Sequence, residues 1–185
     1  MRVLNVGGGY KPTLPPAYDG WKQDVLDIDP DTQPDVCCDA REMLTLPPQT
    51  YDAVFCSHTL EHFYKHDVPK VLAGFRHVLK ADGVAHISVP NLPSAFAAMR
   101  ASNLDLHDIW YRTSTNAPIT FHDTFYGWDH AMSHGNLFYA HKCGFTMLSL
   151  GEALIKAGFK HVRVAEDQYN LVAKASNQES LCQLP

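Results

Sequence analysis

The chain of 185 residues corresponds to about one domain and is long enough to bury a single substantial core. Hydrophobic residues make up 45% and charged residues 19%, which excludes a disordered, collagen-like or coiled-coil protein. The formal net charge of −5 argues against nucleic acid as a partner, because a protein that neutralises phosphates needs a surplus of Lys and Arg. A small molecule or another protein is the expected partner.

The expected cellular setting follows from features that the sequence lacks. No apolar leader follows Met1, and no apolar run approaches the roughly 18 residues of a membrane span. The five cysteines have neither CxxC spacing nor the pattern of a disulfide framework. These features predict a cytoplasmic protein without a membrane segment.

Five short, mostly apolar segments in the first half are typical of strands buried on both faces. They span residues 2–6, 23–28, 34–38, 51–57 and 83–89. Helical segments alternate with them, which predicts a parallel sheet. Pro12, Pro15 and Pro16 lie between the first two strands and exclude a regular helix over the first half of that link. The first helix is therefore expected to be shortened or absent.

Two helices are predicted from their apolar stripes and end signals. The first covers residues 68–80, with Asp67 as its N-cap. The second lies near the C-terminus, where Ser149 and Glu152 have capping-box spacing and Gly158 occupies the position of a terminating glycine. The first of these helices is expected to cover one face of the sheet.

Residues 161–166 and 169–174 are two β-like runs whose two-residue link permits a hairpin but no crossover. The last strand is therefore expected to be antiparallel. The predicted fold is α/β, a Rossmann-like doubly wound sheet of about seven strands, with six parallel and the last antiparallel. Residues 175–185 are polar with little pattern and are expected to fray as a C-terminal tail.

A glycine cluster follows the first predicted strand, where backbone N–H groups can approach a ligand closely. It consists of Gly7, Gly8 and Gly9. Asp27 ends the second predicted strand at the separation where an acid can bind a ribose on a neighbouring strand. Pro12 stands at the third glycine position of the dinucleotide fingerprint, which argues against a pyrophosphate ligand. The pattern therefore predicts a nucleoside site.

Four motifs stand in order at the ends of the first four predicted strands. They are the glycines, Asp27-Ile28, Asp39-Ala40 and the run from Ser57 to His62. Together, residues 2–91 and the terminal hairpin resemble the class I S-adenosylmethionine-dependent methyltransferases, in particular small single-domain members of methyltransferase type 11. The resemblance implies that S-adenosylmethionine is the cofactor.

In that family the glycine loop lies against the methionine part, the acid after the second strand binds the ribose and the next acid reaches the adenine amine. The resemblance therefore implies eight cofactor-binding residues: Gly7, Gly8, Gly9, Asp27, Ile28, Asp39, Ala40 and Ser57. Asn5 departs from the family pattern, which has an acid before the glycines, and the reduced first helix predicts a more exposed, weaker site. A branched side chain at Gly7 is expected to abolish binding without unfolding the chain.

Histidine is frequent, with 11 residues. His58, His62 and His66 are four residues apart, which on one helix would place them within metal-binding reach. The N-cap expected at Asp67 interrupts such a helix, so no metal site is predicted. A second group of histidines and aromatic residues lies in the segment 122–141, a composition that suits a small-molecule pocket.

The predicted function is methyl transfer from S-adenosylmethionine to a small-molecule or protein acceptor by one domain at residues 1–174. Residues 108–145 lack a clear period and are expected to cover the acceptor side. The candidate general bases are His58, His122 and His134, because a neutral imidazole is available near pH 7. The alternatives are a catalytically inactive binding module of the same fold, a nicotinamide oxidoreductase and a metal-dependent hydrolase that uses the histidine-rich segment.

Overall fold

The computed structural model describes residues 1–10, 12–113 and 116–182. In these ranges nine strands lie in chain order: β1 (Arg2–Val6), β2 (Lys22–Asp27), β3 (Val36–Cys37), β4 (Tyr51–Ser57), β5 (Leu79–Pro90), β6 (Ile109–Arg112), β7 (Pro118–Thr120), β8 (His161–Asp167) and β9 (Asn170–Ser176). The same residues contain five α-helices: α1 (Val68–Val78), α2 (Leu92–Ala101), α3 (Phe121–Tyr126), α4 (Asp129–Ser133) and α5 (Met147–Lys156). Within the described ranges, no helix combines the length and apolar character needed to cross a membrane.

Seven strands form one sheet in the order β3-β2-β1-β4-β5-β9-β8. The pairs among β1 to β5 are parallel, whereas β9 is antiparallel to both of its neighbours. Six strands therefore share one direction and the last strand opposes them, which confirms the predicted fold class. The strand order reverses beside β1, the point at which ligands bind in open α/β sheets.

One face of the sheet carries the main core. The apolar stripe predicted for α1 is confirmed, because Val71, Leu72 and Phe75 are fully buried. Leu150 and Leu154 of α5 belong to the same cluster. Burial of a large apolar side chain contributes about 1.5–3 kcal/mol, so this layer stabilises the sheet from that side.

The opposite face carries a thinner layer at the first crossover. A 3-10 turn, Pro16–Tyr18, stands where the first helix was expected to be reduced, and the prediction is confirmed. Tyr18 packs with Val3 and Ala53 in a small separate cluster. Its hydroxyl lies 3.1 Å from Nδ1 of His86 on β5, a contact that connects this layer to the sheet.

The start of α5 differs from the predicted position. Its capping box joins Thr146 and Ser149, each side chain accepting from the backbone N–H of the other residue. Glu152 instead forms a surface ion pair with Lys156 at 3.2 Å. Ser149 therefore occupies the third helical position rather than the N-cap. The pairs Thr146/Ser149 and Ser149/Glu152 both have the three-residue spacing of a capping box, and the structure uses the first pair.

Secondary structure continues from residue 174 to residue 182, where the sequence predicts a polar tail. β9 continues to Ser176, whose hydroxyl donates to the carbonyl oxygen of Gly83 at 2.9 Å. A 3-10 turn, Glu179–Cys182, follows, and the buried Cys182 thiol lies 3.3 Å from the carbonyl oxygen of His161. These small side chains carry a weak apolar pattern, which is why the sequence resembled a tail. Residues 183–185 lie outside the described ranges.

Residues 108–145, which lack a clear period in the sequence, contain two short strands and two short α-helices in their described part. β6 and β7 form a two-stranded antiparallel sheet, and α3 and α4 follow. Trp110 stacks on the buried Phe121 with ring centroids 4.7 Å apart. Aromatic packing rather than a regular apolar period therefore stabilises this segment, so its elements were not visible in the sequence pattern.

His86 provides a test of the thin layer. Burial, with Lys174 nearby, lowers the pKa of His86 to about 4, compared with about 6.5 for a free imidazole. Between about pH 6.5 and pH 4, His86 binds a proton in the unfolded chain but stays neutral in the folded protein. The folded state is therefore expected to lose up to about 3 kcal/mol of stability as the pH falls from about 6.5 to about 4.

The measurement is urea unfolding of the wild type and of His86→Phe across this pH range. Removing the imidazole should reduce the slope of the free energy of unfolding against pH by up to about 1.4 kcal/mol per pH unit. The carboxylates are the same in both proteins, so the difference between the two free-energy curves reports on His86. Parallel curves for the two proteins would contradict the low pKa.

Candidate functional site

A cavity of about 330 Å³ opens at the carboxyl ends of β1, β2 and β4. Seven residues selected from the sequence line it: Gly7, Gly9, Asp27, Ile28, Asp39, Ala40 and His58. These residues are distant in sequence and meet because parallel strands end at the same edge of the sheet.

The loop after β1 is fixed by hydrogen bonds to β2. Gly7 has φ +72° and donates its N–H to the carbonyl oxygen of Leu26 at 2.8 Å. The N–H of Gly9 donates to Oδ2 of Asp27 at 2.9 Å, and the N–H of Asp29 donates to Oδ1 at 3.0 Å. An ionised carboxylate has about four acceptor positions, so Asp27 can hold the loop and still accept from a ligand.

The α-carbons of Gly7 and Gly9 in this loop have different surroundings. A Cβ on Gly7 would lie 2.2 Å from Oγ1 of Thr59, whereas a Cβ on Gly9 would have no atom within 4 Å. Thr59 is buried, and its hydroxyl lies 3.1 Å from the carbonyl oxygens of both Val6 and Ser57. Gly7 is therefore required for packing, and a branched residue there is expected to lower the stability of the fold in addition to blocking the ligand.

Asp39 is engaged by a neighbouring guanidinium that the sequence analysis missed. Its carboxylate caps the 3-10 turn Ala40–Thr45 by accepting from the N–H of Arg41 at 2.9 Å. The Arg41 side chain binds the same carboxylate, with Nη2 2.6 Å from Oδ2, and lies 3.4 Å from Asp67. The Arg41 guanidinium holds the pKa of Asp39 below its ordinary value, so the carboxylate stays ionised.

Gly8 and Ser57 lie on the other side of the glycine loop, where they line a separate recess together with Asn5 and Pro12. Asn5 is 2% exposed, and its Nδ2 has no hydrogen-bond partner among the described residues. A Cβ on Gly8 would lie 2.6 Å from that nitrogen. These residues therefore pack against the glycine loop on the side away from the cavity, and Gly7 lines both the recess and the cavity.

The far wall of the cavity comes from the segment after α4. Asn136, Phe138, Tyr139 and Lys142 line it, and Asn136 caps the 3-10 turn Leu137–Tyr139. Burial and the nearby carboxylates of Asp27 and Asp29 raise the pKa of Tyr139, so its phenol keeps its proton. Part of the segment selected from the sequence therefore reaches the cavity.

His122 and His134 do not line the cavity. His122 packs against His107 and Tyr126, with ring centroids 5.2 Å and 5.0 Å away. His134 is exposed, and its Nδ1 lies 2.7 Å from the carbonyl oxygen of His130. Of the three candidate general bases, the structure thus brings only His58 to the cavity.

His58 follows β4 with φ +50° and donates its backbone N–H to Ser88 at 2.9 Å. Its Nδ1 lies 3.4 Å from Oε1 of Glu61, which is 1% exposed. Burial opposes protonation of the imidazole, but the Glu61 carboxylate outweighs it and raises the pKa of His58. The side chain of His58 is 48% exposed, so it can meet a ligand in the cavity.

A family model and several solved structures of methyltransferases match this chain. Residues 4–87, a little under half of the chain, match the family model described as the methyltransferase domain. A SAM-dependent methyltransferase from Archaeoglobus fulgidus is 16% identical with a TM-score of 0.60, and the match covers 94% of this chain and 85% of that one. No curated protein matches the sequence.

Two further solved structures share the fold. A SAM-dependent methyltransferase from Aquifex aeolicus is 17% identical with a TM-score of 0.58, covering 95% of this chain and 81% of that one. The 1,6-didemethyltoxoflavin-N1-methyltransferase of Burkholderia thailandensis, with bound 1,6-didemethyltoxoflavin and S-adenosylhomocysteine, is 18% identical with a TM-score of 0.53, covering 94% and 69%. The architecture is therefore that of a methyltransferase-type Rossmann fold.

The matched motifs, the strand order and the family model agree. Residues 4–87 therefore resemble a methyltransferase domain, and the chain has the fold of S-adenosylmethionine-dependent methyltransferases.

Proposed function

We propose that this chain binds S-adenosylmethionine in the cavity at the ends of β1, β2 and β4 and transfers its methyl group to a small-molecule or protein acceptor. The observation that carries the proposal is the convergence of the glycine loop, Asp27 and Asp39 on one cavity. The open space beside the α-carbon of Gly9 and the free acceptor positions of Asp27 fit a nucleoside ligand.

The charge of the cavity supports a cationic cofactor. Four carboxylates line it, from Asp27, Asp29, Asp39 and Asp67, against the two cations of Arg41 and Lys142. A cleft with an excess of one sign concentrates ligands of the opposite sign. The sulfonium of S-adenosylmethionine is positive, whereas the pyrophosphate of a nicotinamide dinucleotide is negative, so the same lining disfavours the oxidoreductase alternative.

The bound cofactor supplies an electrophilic methyl group on a sulfonium. The protein must then orient the acceptor and, where needed, remove its proton. His58, half exposed beside the buried Glu61 carboxylate, is the proposed general base. Tyr139, which lines the same cavity and keeps its phenolic proton, is proposed to donate a hydrogen bond on the acceptor side, and residues 136–142 are the part of the proposed cover that reaches the cavity.

The test is calorimetric titration with S-adenosylmethionine, S-adenosylhomocysteine and NADH. The first two should bind, and NADH should bind at least about tenfold more weakly, a difference of about 1.4 kcal/mol. In the variant Asp27→Ala, the affinity for S-adenosylhomocysteine should fall about 10- to 150-fold because charge-assisted hydrogen bonds are lost. Tighter binding of NADH, or unchanged binding by the variant, would contradict the assignment.

A further inference from the structure

The side chain of Glu61 is buried in the turn after β4, and its carboxylate lacks hydrogen-bond partners among the described residues. It is 1% exposed, and among the described residues neither carboxylate oxygen has a hydrogen-bond partner. The nearest imidazole, that of His58, lies 3.4 Å from Oε1, and the ammonium of Lys142 lies over the ring of Tyr64 instead. A buried carboxylate without adequate partners is costly, so this position favours a positive charge.

Two imidazoles beside Glu61 have a fixed tautomer. Nδ1 of His62 lies 3.1 Å from the carbonyl oxygen of Ala140, and Nδ1 of His141 lies 3.0 Å from that of Thr124. A carbonyl oxygen can only accept, so both Nδ1 atoms carry the proton in these contacts. The lone pair of each neutral ring is therefore on Nε2, the arrangement that second-sphere carbonyls impose on metal-binding histidines.

Glu61, His62 and His141 offer one donor atom each within 4.8 Å of one another. Two imidazoles and one carboxylate form the donor set of catalytic zinc sites and of non-haem iron(II) sites. We propose that these three residues bind one divalent transition-metal ion, with Zn²⁺ as the representative ion. Ligands about 2.1 Å from tetrahedral zinc lie about 3.4 Å apart, so the donors would approach one another by up to about 1.4 Å on binding.

The backbone holds the two halves of this site together. The N–H groups of Lys142 and Cys143 both donate to the carbonyl oxygen of Glu61, at 2.8 Å and 3.2 Å. This contact joins the turn after β4 to the segment that precedes α5, and His62 also lines the cavity. The ion would therefore lie beside the proposed cofactor site. The site shares only His62 with the row of histidines at 58, 62 and 66, for which no metal was expected.

The test uses tag-free, metal-stripped protein dialysed against Zn²⁺ with a weak competing chelator, followed by elemental analysis. One equivalent of zinc per chain is expected. Substitution by Co²⁺ should give the visible absorption of a low-symmetry site with nitrogen and oxygen ligands. Both readouts are independent of methyl transfer, so the result stands whether or not the proposed function holds. Failure to retain zinc and to show the cobalt spectrum would overturn the proposal.

Variants locate the ion. Glu61→Gln keeps the shape of the side chain and removes its charge, and His141→Asn removes one imidazole; each should weaken zinc binding at least about tenfold. The matched control is His66→Ala, which removes a side chain that is 79% exposed and should leave zinc binding unchanged. Circular dichroism checks folding, and an unfolded variant leaves the decision to the wild-type stoichiometry and cobalt spectrum. Equal zinc affinity in folded Glu61→Gln and His141→Asn would contradict the site.

Discussion

Replacing Gly7 with Ala is expected to lower the free energy of unfolding by about 2–5 kcal/mol, a large fraction of the stability of an ordinary domain. The added Cβ would lie 2.2 Å from Oγ1 of Thr59, whose side chain is buried. Overpacking of this kind costs about 1–3 kcal/mol, and a non-glycine residue at φ +72° adds about 1–2 kcal/mol. Urea unfolding monitored by circular dichroism measures the change.

The matched control is Gly9→Ala, two residues further along the same loop. Gly9 also has a positive φ, of +53°, but a Cβ there would have no atom within 4 Å. This variant should lose only the backbone cost, about 1–2 kcal/mol. The difference between the two variants therefore measures the contact with Thr59. Equal losses of stability in Gly7→Ala and Gly9→Ala would show that the contact has no energetic weight.

The second large effect is expected for His58→Ala, which should lower turnover by about 10²-fold or more. His58 is the one candidate base that lines the cavity, and its imidazole lies 3.4 Å from the Glu61 carboxylate. Affinity for S-adenosylhomocysteine should change little, because the proposed role begins after the cofactor is bound. The measurement is production of S-adenosylhomocysteine with any acceptor that the wild type methylates, beside calorimetry of the same variant.

Two controls distinguish proton transfer from a structural effect of His58. His134→Ala removes an exposed histidine outside the cavity and should keep wild-type turnover. Added imidazole should restore part of the activity of His58→Ala, since a small base can enter the vacated space. Wild-type turnover in His58→Ala, or the larger loss in His134→Ala, would assign the base elsewhere.

The sequence was most informative where local pattern and tertiary environment agree. The strands at 2–6 and 51–57 were predicted to the residue, because both are apolar runs with clear turn signals. β5 starts at Leu79, before the predicted residue 83, because strand pairing with Tyr51 begins immediately after α1. α2 was missed, since Leu92–Ala101 has a weak apolar stripe and buries little beyond Ala95.

The proposed cofactor side of the cavity was predictable for a related reason. Gly7, Asp27, Asp39 and His58 follow strands directly, so knowledge of the strand ends was sufficient to bring them together. The proposed acceptor side was not, because the position of Tyr139 depends on how a long, irregular segment folds back over the sheet. The high frequency of histidine and aromatic residues drew attention to this segment but could not show which side chains face inward.

The ion pair between Asp39 and Arg41 has a consequence for how a nucleobase would be selected. Oδ1 accepts from the backbone N–H and from Nε of Arg41, while Oδ2 accepts from Nε and Nη2. These contacts fill the acceptor positions of the carboxylate, so an incoming amino group would exchange with a guanidinium hydrogen bond rather than add one. Such an exchange contributes little net affinity, yet a base without the amino group gains nothing from breaking the pair. Asp39 would therefore add little to the affinity for adenine while its ion pair with Arg41 stays intact.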